Sequence, residues 1–333
     1  MKRIANLYEK ICSVENLKLA DQKARKGKLN TYGVKVHDRN RERNIINLHE
    51  ILINGACKTS EYDIFKIYEP KEREIYRLPY YPDRIVHHAI MNILEPIWVS
   101  IFTQDSYSCI KDRGIHKCAL DLKTALRSDK ANSTYCLKMD IKKFYPSIDH
   151  DVMKAIVRQK IKDKQLLALI DEIIDSADGL PIGNYLSQYL ANLYLAYFDH
   201  WVKEDLRVKH YFRYADDMVV LSNSKSELHG VRRMIEEYLN RELKLELKGN
   251  WRVFPTSTGI DFVGYVFRPT HTILRKSIKK NLCRKISRLS KVEDIIREDY
   301  MRAVASWWGW CKYCDSINLI NKLNKISKYE IIF

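Results

Sequence analysis

Two adjacent aspartates, Asp216 and Asp217, sit in the run Tyr211-Phe-Arg-Tyr-Ala-Asp-Asp-Met-Val-Val-Leu221, and a third, Asp140, closes the run Thr134-Tyr-Cys-Leu-Lys-Met-Asp-Ile141. Carboxylates held on rigid strands suit phosphoryl transfer onto a hydroxyl. That chemistry calls for two hard cations roughly 3.5–4 Å apart, which activate the attacking oxygen and neutralise the leaving pyrophosphate. Adjacent acids flanked by Met218, Val219, Val220 and Leu221 are costly to half-bury without cations. Taken alone, Ala-Asp-Asp also reads as a polar hairpin turn, so the surrounding motifs decide.

The elements that must position these acids are legible nearby. Residues 134–141 are a strand by composition and deliver Asp140 near its end, and residues 211–221 read as two short strands with the acids at the turn. After Asp140 a helix is expected with Asp149 as N-cap and Ile148 and Met153 as its hydrophobic staple. Gly179-Leu-Pro-Ile-Gly183 is a loop, residues 186–201 an amphipathic helix, and residues 226–243 another. Phe254 to Phe267 is a strand pair carrying Gly259-Ile-Asp-Phe-Val-Gly-Tyr265. Residues 1 to about 60 read as helical with basic stretches at 23–28 and 39–43, short strands are expected around Lys71 to Arg77, and Ile85 to Ile101 reads as a mostly buried helix. From Arg275 to Lys291, Lys276, Lys280, Arg284 and Arg288 recur every four residues, opposite a stripe of Ile278, Leu282, Ile286 and Leu289. One face packs and the other meets an anion.

The chain has 333 residues, 46% hydrophobic and 30% charged, which suits two or three packed subdomains. Its net charge of +16 favours a polyanion, with nucleic acid first, through counterion release. No segment reaches the roughly 18 uninterrupted apolar residues of a membrane span, and the basic start lacks the apolar run of a secretion signal, so a cytoplasmic location is expected. The eight cysteines are scattered apart from Cys311 and Cys314. With no second ligand pair nearby, reduced thiols are the better reading.

In their motif order these residues resemble the reverse transcriptases of bacterial retroelements. Tyr214-Ala-Asp-Asp217 is similar to the Y-x-D-D signature of that family, and Leu137-Lys-Met-Asp-Ile-Lys-Lys-Phe-Tyr145 to its first palm motif. The resemblance implies catalytic, metal-binding roles for Asp140, Asp216 and Asp217, a backbone carbonyl from Ile141 to the second cation, and Tyr145 as the aromatic gate against a 2′-hydroxyl. It places Arg73 and Arg84 on the incoming triphosphate, with Lys71 in support. Arg84 also reads as a structural ion-pair partner near Asp83. Lys248, in Leu245-Glu-Leu-Lys248, is implied near the leaving pyrophosphate, with a solvated lysine as the alternative. Gly259 to Tyr265 matches the strand pair that grips the primer.

Where many members carry Pro-Gln-Gly in the loop lining the nucleotide pocket, this chain has Leu180-Pro-Ile-Gly-Asn-Tyr-Leu-Ser-Gln188, with Ile182 in place of the glutamine. That loop, ending in Gln188, resembles the reverse transcriptases of diversity-generating retroelements, which copy template RNA with frequent errors opposite adenine. An aliphatic chain in place of an amide loosens selection of the base pair's shape.

The implied fold is α+β, the right-hand polymerase: an N-terminal region and fingers over 1–135, palm over 136–149, a fingers/palm connection over 150–185, palm again over 186–268, and a helical thumb over 269–333. The implied activity is RNA-directed DNA synthesis with two Mg²⁺ ions, or Mn²⁺ in their place. Template RNA, an RNA/DNA primer duplex and deoxynucleotides are the implied partners, with a small accessory protein and self-association open and no membrane. Antiphage defence is the alternative role, and a non-catalytic RNA-binding scaffold the alternative class. Trp307, Trp308 and Trp310 are expected to pack the thumb rather than stack bases.

Overall fold

The computed structural model describes residues 3–68 and 72–330, so Lys71 lies outside the described residues. Among these residues nine strands form three antiparallel sheets in a largely helical chain, an α+β arrangement. The strands are β1 (Asp63–Ile67), β2 (Arg73–Arg77), β3 (Tyr135–Asp140), β4 (His210–Tyr214), β5 (Asp217–Ser222), β6 (Arg252–Pro255), β7 (Ile260–Phe262), β8 (Tyr265–Phe267) and β9 (Thr272–Leu274). By its internal contacts the chain divides into two compact units. One comprises Met1–Thr103, Ile141–Trp201 and Glu236–Leu247, the other Gln104–Asp140, Val202–Ile235 and Lys248–Phe333.

In the first unit the N-terminal third is helical as expected: Tyr8–Cys12, Val14–Ala24, Tyr32–Asp38 and Arg41–Ile53. Ser13 starts the second of these by accepting from the Asn16 N–H. Its Asp21 is fully buried and gathers Arg25, Arg41 and the Tyr80 hydroxyl, which ties two helices, Val14–Ala24 and Arg41–Ile53, to the segment before the buried helix Ile85–Val99. β1 and β2 make an exposed hairpin with Asp63 opposite Arg77. Asp149 caps the helix His150–Lys160, its carboxylate accepting from the Val152 N–H at 3.0 Å, and both Ile148 and Met153 are buried beside it.

The loop 179–183 is seated by main-chain bonds at both ends: Leu180 N–H to the Tyr145 carbonyl at 2.9 Å, and Tyr76 N–H to the Ile182 carbonyl at 2.8 Å. Gly179 has φ +60°, and a Cβ there would drive into the Tyr145 carbonyl oxygen and lie 2.7 Å from Pro146 Cα. Positive φ in a non-glycine residue costs about 1–3 kcal/mol, and here backbone blocks the way as well. Gly179→Ala is therefore expected to lower stability by at least that amount, measured as a lowered denaturant midpoint, and to displace the Tyr145 backbone. Downstream, one helix was expected over 186–201, but the chain forms two, Tyr185–Tyr194 and Ala196–Glu204, because Leu195 (φ −98°, ψ 0°) leaves helical geometry. No glycine or proline marks the break.

In the second unit the four-stranded sheet has the order β4-β5-β3-β6, with β3 central and its Leu137 and Met139 fully buried. β7, β8 and β9 form the third sheet. Tyr265 and Phe267 of β8 join Leu282 and Ile286 of the helix Lys276–Leu289 in one core, against which Trp307, Trp308 and Trp310 pack. The tryptophans are thus packing groups, as expected. Gly264 (φ +88°) is required where Trp310 lies against the chain, its ring 5.3 Å from that of Tyr265. Burial pushes the Cys311 thiol up to about 12 and the Cys314 thiol up to about 11. Among the described residues no helix is long and apolar enough to cross a membrane.

Candidate active site

Alternation along β3 turns Leu137 and Met139 into the core and leaves Lys138 and Asp140 half-buried on the other side of the sheet. β5 runs antiparallel beside it in a register that sets Asp140 opposite Asp217 and Met139 opposite Met218. β4 and β5 are joined by only two residues, Ala215 and Asp216, with Tyr214 paired to Asp217. One strand end and one tight turn thereby place three carboxylates together, as the sequence suggested.

A two-residue hairpin turn needs a positive φ at its first residue, ordinarily supplied by glycine. Here Ala215 takes φ +55°. Arg213 holds it there. That arginine has no exposed surface, donates from Nη1 to the Ala215 carbonyl at 3.0 Å and from Nη2 to Ser106 Oγ at 2.9 Å. Sequence reading missed it, although a lone cation between Phe212 and Tyr214 in an otherwise apolar strand signals a buried partner. Arg213→Lys keeps the charge but not the fork. It is expected to lower kcat for primer extension by about 10²-fold, the scale of a small misplacement of reacting groups, while the protein stays folded by circular dichroism.

The acids repel one another. Burial, then the charge of Asp140, pushes the Asp216 carboxyl up to about 6. Burial also raises Asp217, Lys138 opposing it and Asp140 adding to it. Two lysines offset the charge. Lys248 Nζ lies 2.6 Å from Asp140 Oδ2, and its N–H donates to the Asp140 carbonyl at 2.8 Å. Lys138 Nζ stands 3.7 Å from Asp217 Oδ1 and donates to the Asp261 carbonyl at 2.6 Å. Asp261 in turn pairs with Arg275 Nε at 2.5 Å. Lys138 was also missed from sequence, although residues two apart on a strand share a face and it precedes Asp140 by two.

Asp140 Oδ1 remains buried with no hydrogen-bond partner. Among the described residues no three His, Cys, Asp or Glu side chains hold the geometry of a single ion site as they stand. The donor chemistry nevertheless fits a hard divalent cation: oxygens only, one of them orphaned, in a cluster whose mutual repulsion such a charge would relieve.

The remaining expected residues are distributed as follows. Ile141 is fully buried and bridged to Leu247. Tyr145 is half-buried with its ring edge-on to Phe144, Ile182 is half-buried in the seated loop, and Gln188 is exposed. Arg73 is exposed at the start of β2, and Arg84 is half-buried just before the helix Ile85–Val99. Among the described residues Arg84 has no ion pair, so the structural salt-bridge alternative finds no partner there. Lys276, Lys280, Arg284 and Arg288 are all exposed on the face opposite Leu282 and Ile286.

Comparison with known proteins bears on this geometry. Residues 69–267 match the family profile described as reverse transcriptase (RNA-dependent DNA polymerase). Protein YkfC of Escherichia coli strain K12 is 24% identical over 270 residues, covering 67% of this chain and 69% of YkfC. The group II intron-encoded protein LtrA of Lactococcus lactis subsp. cremoris is 23% identical, covering 66% of this chain and 49% of LtrA. The retron Ec73 reverse transcriptase of Escherichia coli is 31% identical, covering 56% of this chain and 63% of that protein. The chain thus spans about half of LtrA and a larger share of the other two. Among solved structures, apo telomerase from Candida tropicalis truncated from its C-terminal domain superposes with a TM-score of 0.50 at 12% identity, covering 65% of this chain and 55% of that one. That likeness is one of fold, the α+β right-hand polymerase. Three carboxylates on the β3 end and the β4–β5 turn, inside a match that spans more than half of the chain, make this protein a member of the reverse transcriptase family.

Proposed function

We propose that the protein is an RNA-directed DNA polymerase that makes cDNA from a dedicated template RNA by two-metal-ion nucleotidyl transfer, and that it copies adenines inaccurately, as in a diversity-generating retroelement. The observation that carries the reading is the half-buried cluster of Asp140, Asp216 and Asp217 with its unpartnered, buried Asp140 Oδ1. Asp140, Asp216, Asp217 and the Ile141 carbonyl would hold two Mg²⁺ ions, or Mn²⁺, which when bound supply activation of the primer hydroxyl and charge neutralisation at the phosphates.

The protein's own groups do the rest. Arg213 fixes the turn so that Asp216 and Asp217 face Asp140. Lys248 stands on Asp140 with protons to share with a departing pyrophosphate. Tyr145 excludes a 2′-hydroxyl. Lys71, Arg73, Arg84, Ile182 and Gln188 serve the incoming deoxynucleotide, and Lys276, Lys280, Arg284 and Arg288 the phosphates of the primer–template. A second reading is a reverse transcriptase of antiphage defence that copies a non-coding RNA; the 31% identity with a retron enzyme supports a bacterial retroelement polymerase under either reading.

Primer extension on an RNA template with the four deoxynucleotides and Mg²⁺, followed by sequencing of the product, tests both levels. Metal-dependent cDNA supports the polymerase, and an excess of errors opposite adenine supports diversity generation over defence. Ile182→Gln, which restores a hydrogen-bonding amide, is expected to lower misincorporation opposite adenine by about tenfold. Equal error rates at all four template bases would remove the low-fidelity reading.

A further inference from the structure

His150 and Lys154 stand four residues apart on the helix His150–Lys160 and so share one face. Both reach Asp175, the residue that ends the helix Lys164–Ile174: Lys154 Nζ donates to one carboxylate oxygen at 2.6 Å, and His150 Nδ1 meets the other at 3.1 Å. The far side of the ring meets a different kind of partner. His150 Nε2 lies 2.9 Å from the Gly179 carbonyl oxygen. A carboxylate and a carbonyl are both acceptors, so the imidazole satisfies the two together only by donating from each nitrogen. A surface ion pair needs the first of these contacts and leaves the second unexplained.

The Gly179 oxygen belongs to the same peptide group as the Leu180 N–H, which donates to the Tyr145 carbonyl at 2.9 Å. Both polar atoms of one peptide are therefore held, one by the His150 side chain and the other by the backbone five residues before it. The oxygen and the N–H of a trans peptide point in opposite directions. The plane of Gly179–Leu180 cannot turn over without losing both bonds. Ile182 follows two residues after Leu180, with its own carbonyl held by the Tyr76 N–H at 2.8 Å.

We propose that His150 is a positioning residue for nucleotide selection, which fixes the Gly179–Leu180 peptide and through it the places of Tyr145 and Ile182. It acts through that backbone rather than on the substrate, and it lies in the same compact unit as both side chains. The inference rests on the polymerase reading and on the nucleotide roles of Tyr145 and Ile182. Losing the bond to Gly179 leaves Asp140, Asp216 and Asp217 with their partners and misplaces the pocket, so selection suffers more than turnover.

Three variants of the full chain separate the two sides of the ring, because a glutamine amide nitrogen stands where Nε2 was and an asparagine amide nitrogen where Nδ1 was. His150→Ala is expected to raise KM for deoxynucleotide by about tenfold and to lower the preference for deoxynucleotide over ribonucleotide by about tenfold, with kcat within about twofold of wild type. His150→Gln, which keeps a donor for the Gly179 carbonyl, is expected to restore most of both, and His150→Asn, which keeps a donor for Asp175 alone, to restore neither. Hydrogen exchange over residues 176–183, read without substrate, follows the same order: faster in His150→Ala and His150→Asn, near wild type in His150→Gln. KM and sugar preference at wild-type values in His150→Ala, or rescue by His150→Asn rather than His150→Gln, overturn the proposal. A wild-type chain that makes no cDNA sinks the polymerase reading and the selective role with it, whereas unchanged exchange in His150→Ala removes the clasp itself whether or not cDNA is made.

Discussion

Asp216→Asn and Asp217→Asn are each expected to lower primer extension on an RNA template by about 10³-fold or more, equivalent to about 4 kcal/mol of transition-state stabilisation. Asparagine keeps the shape of the side chain and removes the charge that would hold a cation. Stability should move the other way. A carboxyl whose folded-state pKa is raised costs stability at every pH above its unfolded value, and Asp216 is raised by burial and by Asp140. The neutral variant is therefore expected to melt at the same temperature as the wild type or higher. Loss of activity with an unchanged or raised Tm marks residues kept for chemistry at the expense of folding. Wild-type cDNA yields from both variants would remove Asp216 and Asp217 from the reaction.

The second large effect concerns the fold. Asp21→Ala is expected to cost about 3–5 kcal/mol, the range for removing one partner of a buried charge network, seen as a lowered denaturant midpoint at pH 7. Asp21 has no exposed side-chain surface and accepts from Arg25 at 2.8 Å, Arg41 at 2.7 Å and the Tyr80 hydroxyl at 2.5 Å, with neutral His37 3.5 Å away. Burial pushes the Asp21 carboxyl up, but the hydrogen bonds from Tyr80, Arg25 and Arg41 together outweigh it and hold the carboxyl below the usual range. The sign follows from that depression. The contribution of Asp21 is complete above about pH 4, the unfolded value, and is lost as pH falls through the lower folded value. The gap between wild type and Asp21→Ala should accordingly narrow below pH 4. A midpoint unchanged at pH 7 would show that the network contributes little.

Much of the candidate site was legible because its signals are local. A strand that ends in an acid, and an acid pair between two apolar runs, announce their geometry through alternation and turn length, and the β3–β5 register then follows from burying Leu137 and Met139. What could not be read is what depends on distant partners. Arg213 reaches Ser106 across 107 positions, and Lys248 reaches Asp140 across 108. Asp21, which looks like one more charge in a basic helical region, is the centre of a buried network because Tyr80 lies 59 positions away. The break at Leu195 escaped for a different reason: without glycine or proline, nothing in the local sequence opposes a continuous helix.

The loop 179–183 is clamped to Tyr145 and to β2 entirely through main-chain atoms and through glycines that admit no side chain, while Ile182 contributes only its carbonyl to the clamp. The scaffold of the loop and the identity of the side chain at 182 are therefore separable. A lineage can exchange that residue without rebuilding its surroundings, and if residue 182 sets copying accuracy as proposed, that accuracy becomes a heritable dial that single-codon changes can turn in either direction, while the glycines on either side of it stay out of reach of the same drift.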